Sequence, residues 1–153
     1  MKFSSREDMD APLEAAFSAV ADFDYLEGQI LRRGIQIIRV DTQPEPGPGM
    51  SWQAEMGWRS QQHDITCDLV GWAPPSDVTM TAVSGGLNCE ILAQMTALSR
   101  STTRLRVAMT LRANTFRDRL LVQSLQIAKA RLARQFGDMV HAYAQDAARR
   151  ANA

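Results

Sequence analysis

The chain has 153 residues, with 17 Lys or Arg balanced by 17 Asp or Glu. That length fits a single domain, residues 1–153, which buries about 70% of its unfolded surface and needs neither disulfide nor metal to hold a core. Zero formal charge implies no bulk attraction to nucleic acid or to an anionic membrane, and no run of about 20 apolar residues is present to span a bilayer as a helix. The opening, Met1 to Asp10, is polar and charged, unlike a secretory signal, so the expected location is the cytoplasm.

Residues 2–9 alternate as a first strand, with Phe3, Ser5, Glu7 and Met9 on one face. Asp10 is placed to cap a helix starting near Pro12, whose missing N–H costs nothing there. Leu13, Ala16, Phe17 and Val20 form that helix's apolar stripe. Asp24 is expected to cap a second short helix, Tyr25 to Arg33, with Leu26, Ile30 and Leu31 inward and Gly34 ending it. A strand follows over Ile35–Thr42, and the prolines and glycines of residues 43–49 (QPEPGPG) then impose a loop.

Met50 to Gln61 is the clearest alternating strand. Trp52, Ala54, Met56 and Trp58 share one face, and a hairpin turn is expected at Gln62 and His63. Ile65, Cys67 and Leu69 face the core on the next strand, residues 73–76 turn the chain, and Val78, Met80 and Ala82 follow. Ser84-Gly85-Gly86 is a hairpin signal. Leu87, Cys89, Ile91, Ala93, Met95 and Ala97 form one apolar face, and Leu105, Val107, Met109 and Leu111 another. From Thr115 to about Ala147 there is no proline and one glycine. Phe116, Leu120, Leu121, Leu125, Ala128, Leu132, Phe136, Met139, Val140 and Tyr143 recur at steps that predict one long helix with a single buried stripe. Thr115 and Asp118 make a capping-box-like start, and the tail after Asp146 is expected to fray. The fold class is therefore α+β: one strand, two short helices, six strands in an antiparallel meander, and a long terminal helix.

This order, and the opening in particular, resembles the SRPBCC superfamily of START, Bet v 1-like and polyketide cyclase-like helix-grip proteins. Asp8-Met9-Asp10-Ala11-Pro12 is similar to that family's "DIDAP"-like joint, and Phe17 stands at the position of its helix phenylalanine. The resemblance implies a seven-stranded antiparallel sheet wrapped around the C-terminal helix, enclosing a cavity for an apolar molecule. It also implies that a strand separates Cys67 from Cys89. Two strand spacings are about 10 Å, too far for a disulfide, which needs Cα atoms within about 7 Å.

The inward-facing set supplies the candidate ligand-binding residues: Trp52, Met56, Trp58, Cys67, Met80, Cys89, Met95, Met109, Leu125, Leu132 and Phe136. Methionine in particular fills irregular space and tolerates varied ligands, although any core also uses such residues. Glu7 and His63 are the two candidate catalytic residues, because a carboxylate or imidazole on the inward parity can move protons if buried. His63 and His141 lack an HExxH spacing and the cysteines form no CxxC pair, so neither a metal nor another cofactor is expected. No GxSxG elbow, phosphate loop or dinucleotide fingerprint occurs.

Residues 1–76 hold six basic and twelve acidic side chains, and residues 77–153 hold eleven and five. The split reads either as a basic helix and last strands lying near the acidic first half, with an ordinary solvated face, or as a basic surface for an anionic head group or partner; without interleaved exposed aromatics it does not read as a nucleic-acid site. Three functions are thus open. The first is binding of a lipid-, sterol- or polyketide-like molecule between sheet and helix, with residues 43–49, 73–76 and 84–86 as candidate gates. The second is a cyclase or dehydratase-like enzyme, and the third a non-catalytic interaction module or homodimer.

Overall fold

The computed structural model describes all residues, 1–153. Strand β1 (Lys2–Met9) is followed by helices α1 (Leu13–Val20) and α2 (Phe23–Arg32). Strands β2 (Gln36–Arg39), β3 (Ser51–Trp58), β4 (Gln61–Ala73), β5 (Asp77–Ser84), β6 (Leu87–Ala97) and β7 (Thr103–Ala113) come next, and helices α3 (Phe116–Gln126) and α4 (Lys129–Ala151) end the chain. The strands form one antiparallel sheet in the order β1-β7-β6-β5-β4-β3-β2. Only the β1–β7 pairing joins distant parts of the chain, with Phe3 opposite Met109 and Glu7 opposite Leu105. The α+β helix-grip architecture expected from the element order is present, with two short helices after the first strand and the long helix last.

Several local expectations are corrected. Pro12, not Asp10, occupies the N-cap of α1. Asp22, not Asp24, caps α2 by accepting a hydrogen bond from the Tyr25 amide at 3.2 Å; Asp24 lies inside the first turn, where its charge favours the helix dipole. Strand β2 is shorter than Ile35–Thr42 because Asp41 leaves the ladder. Its carboxylate accepts from Arg39, from the Gln43 amide and from the Ser51 amide, which holds it ionised well below the usual carboxylate range, chiefly through the Arg39 hydrogen bond. The β3–β4 hairpin turns at Arg59 and Ser60, both at positive φ (52° and 61°), as a two-residue turn that matches strand twist requires. His63 therefore sits within β4, opposite Met56.

Strand β4 contains a bulge. Leu69 pairs with Met80 and Gly71 with Thr79, so Val70 is the extra residue, and the inward parity shifts. A Cβ at Gly71 would lie 2.9 Å from the Thr79 side chain, so glycine permits the close approach. The shift brings Trp72 inward after Leu69. Phe17, Phe23, Trp52 and Trp72 then form an aromatic cluster, with ring centroids 5.2–5.9 Å apart, that fills the space between α1, α2 and one end of the sheet.

The predicted single terminal helix is two. It breaks at Ile127–Ala128, where the Ala128 amide turns back to the Leu125 carbonyl at 3.1 Å and the regular ladder resumes with Leu132 to Ala128. No proline or glycine stands there. The two halves rest on different supports: α3 leans chiefly on β7, while α4 packs on β1 and α1. The chain must change direction between them. The tail after Asp146 remains helical to Ala151, because Arg150 donates to the Ala19 carbonyl and Asn152 to the Asp10 carbonyl.

Candidate functional site

Helix α4 reaches the sheet through small residues. Ala144 and Ala147 are fully buried against α1 and β1, which draws α4 to that edge and holds it away from β5 and β6. Helix α2 does not pack along α4. The space left among α2, α4 and the inner face of the sheet is a cavity of about 560 Å³ that opens to solvent. Met80, Ile91, Ala93 and Val107 form its floor, Leu26 and Ile30 one side, and Phe136, Met139 and Val140 the other. Apart from Gln29, Arg33 and Asp146, its wall residues are hydrophobic. A mostly apolar concavity with a few placed polar groups is the usual form of a small-molecule site.

One end of the α2–α4 seam is closed by a polar cluster. The Tyr25 hydroxyl donates to Asp146 Oδ2 at 2.6 Å, and Arg149 and Arg150 each donate to the same carboxylate at 3.0 Å. The Arg150 guanidinium lies 3.6 Å from the Tyr25 ring centroid. Tyr143 donates to the Val20 carbonyl at 2.7 Å. Tyr25 holds Asp146 down to about 2, with Arg149 and Arg150 adding to the effect. Burial pushes Tyr143 up to about 12, and the hydrogen bond to Asp146 raises Tyr25. Asp146 thus stays ionised and both tyrosines stay protonated around neutral pH. From this bridge the wall residues run along α2 toward Gln29 and Arg33, and back along α4 toward Met139 and Phe136. Arg33 and Met139 are exposed and mark the solvent side.

Of the residues picked from the sequence, Met80 and Phe136 lie on the cavity wall. Trp52 and Met95 are buried in the core, and the Trp52 indole N–H donates to Glu27 at 2.6 Å. Met56, Cys67, Cys89 and Met109 are half-buried on the inner face of the sheet beyond the cavity, and Leu125 and Leu132 are half-buried on α3 and α4. Trp58 is exposed at the hairpin end, under the Arg59 guanidinium at 4.4 Å. Both cysteines are free thiols, separated by β5 through the register Cys67–Ala82–Cys89, and burial raises both, Cys89 to about 11.

Glu7 is half-buried and bonded to His141 Nδ1 at 2.8 Å, at the contact between β1 and α4. His63 Nε2 is 3.2 Å from the Trp58 carbonyl. Neither side chain lines the cavity, and neither do residues 43–49, 73–76 or 84–86. The sequence reading missed the contribution of α2 and the polar bridge. The available signal was the Tyr143, Asp146, Arg150 spacing, which puts three hydrogen-bonding side chains on one side of α4.

No protein-family model matches the chain, and no curated protein does. Solved structures share its fold at low identity. A Thermus thermophilus protein superimposes with a TM-score of 0.67 at 10% identity, over 99% of this chain and 97% of the other. Norcoclaurine synthase from Thalictrum flavum, solved as a point mutant with a transition-state analogue, gives 0.60 at 8% identity over 92% and 93%. The Zhui aromatase/cyclase from Streptomyces sp. R1128 gives 0.57 at 9% identity over 75% and 69%. The fold is the helix-grip fold that these structures share.

Proposed function

We propose that this helix-grip chain binds a hydrophobic or amphipathic small molecule, of lipid-, sterol- or polyketide-like character, in the cavity among α2, α4 and the sheet. The supporting observation is the cavity itself: about 560 Å³, apolar on its floor and both sides, and open to solvent. Each methylene moved from water onto such a wall contributes about 0.8 kcal/mol, so a chain-like ligand needs few polar contacts. Gln29 and Arg33 on the solvent side would meet the polar end of an amphiphile, with the apolar part lying over Met80, Ala93 and Val107.

Catalysis of the cyclase or synthase kind has structural neighbours in its favour. It would need a wall group that exchanges a proton near neutral pH. Asp146 at about 2 and Tyr143 at about 12 are held far from that range, and Glu7 and His63 stand off the wall. Binding is therefore the better-supported reading.

The test is displacement of anilinonaphthalene sulfonate by a long-chain fatty acid, with native mass spectrometry of gently purified protein to detect a retained guest. The wild type is expected to take up the dye and release it to the competitor. Ala93→Trp, which fills the floor, is expected to abolish uptake while the fold, followed by circular dichroism, persists. Equal uptake by both proteins would contradict the proposal.

A further inference from the structure

Helix α3 carries apolar residues on two opposite sides. At about 100° per residue, Leu121, Val122 and Leu125 share one arc, and Phe116, Leu120 and Ile127 fall within about 40° of each other on the reverse. The first set is half-buried toward the sheet. The second faces solvent: Phe116 is 75% exposed, Leu120 50% and Ile127 93%. Three large apolar side chains in line on one exposed helix are not the scattered singletons of an ordinary surface.

The sequence around this stripe is strongly basic. Between positions 112 and 134 the chain carries Arg112, Arg117, Arg119, Lys129, Arg131 and Arg134 against a single acid, Asp118. All six cations are exposed. The salt bridges of the molecule use other basic side chains, namely Arg39, Arg104, His141, Arg149 and Arg150. Asp118 is engaged at the helix start, where its carboxylate accepts from the Thr115 hydroxyl at 2.7 Å and its amide donates to that hydroxyl at 3.1 Å. The helix is firmly placed at that end, because Asn114 donates to the Gly86 carbonyl at 2.8 Å and Gly86 lies against Thr115 with no room for a Cβ.

We propose that the Phe116–Leu120–Ile127 stripe of α3, with Arg117 and Arg119 of the same helix on either side of it, docks the protein on an anionic lipid bilayer. An interfacial helix has this form: an apolar line that sinks into the head-group boundary, with arginines beside it; the one acid of α3, Asp118, is bonded to Thr115 at the helix start. A second copy fits the stripe poorly, since a two-fold contact would set each copy's cations against the same cations. The docking stands on α3 alone and does not depend on what occupies the cavity.

The experiment is co-sedimentation with vesicles of mixed phosphatidylcholine and phosphatidylserine, and with pure phosphatidylcholine, at low and high salt. The wild type is expected to pellet with the anionic vesicles, to remain in solution with neutral ones, and to be released by salt. Phe116→Ser/Leu120→Ser/Ile127→Ser and, separately, Arg117→Glu/Arg119→Glu are each expected to weaken binding by at least about tenfold. These side chains are solvent-facing, so both variants should unfold at the wild-type urea midpoint. Wild-type protein left in the supernatant with anionic vesicles overturns the proposal. So does binding that either variant retains in full, or a stripe-dependent dimer in light scattering without vesicle binding.

Discussion

Helices α3 and α4 read as one rod in the sequence, yet the structure treats them in opposite ways. Helix α4 buries Val140, Ala144 and Ala147, ties its end to α1 and α2 through Tyr143, Asp146 and Arg150, and pairs His141 with Glu7 of β1. Helix α3 buries no residue and shows its bulkiest side chains to solvent. The lesson is that apolar spacing identifies a helix but does not say which side it buries. Small residues that admit close approach, and polar groups with partners across the chain, decide that.

The sharpest way to break the contrast is to enlarge a side chain in the anchored half. Ala147→Leu, at a fully buried site, is expected to lower unfolding free energy by about 1–3 kcal/mol in urea denaturation. A smaller effect is expected at the bridge, where Asp146→Asn should cost about 1–2 kcal/mol by weakening the bonds from Tyr25, Arg149 and Arg150. The sign with pH follows from the depressed carboxyl. Its folded value, about 2, lies below the ordinary 3.8, so its stabilisation is fully present above that ordinary value and is lost as pH falls through about 2. The gap between wild type and Asp146→Asn should therefore stay flat at neutral pH and close in strong acid. The smallest effect belongs to α3, where Leu120→Ala should shift stability by no more than about 0.5 kcal/mol. Equal losses in the two helices would erase the distinction.

Much of the fold was legible because alternation and turn chemistry act locally. The β6 and β7 faces, the Gly85-Gly86 turn and the Thr115 start all follow from residue order. The bulge at Val70 was not legible, because it depends on Gly71 meeting Thr79 on the neighbouring strand. The break at Ile127 was hidden for a similar reason: no helix breaker marks it, and only the different supports of α3 and α4 require it. Of the cavity, strand parity pointed to Met80, and helix spacing to Phe136. The share taken by α2 was not readable, since Leu26 and Ile30 look the same whether they meet core or empty space. Nor was the Tyr25–Asp146 bridge, which spans 121 positions.

The most direct measurement is a titration of the isotope-labelled protein with a long-chain fatty acid kept below its micelle concentration, followed by amide proton–nitrogen correlation spectra. Saturable shifts are expected at Leu26 and Ile30 of α2, Met80 and Ala93 of the floor, and Val140 and Tyr143 of α4, and these should disappear in Ala93→Trp. Shifts confined to α3, or none at any accessible concentration, would contradict a guest held between sheet and helix.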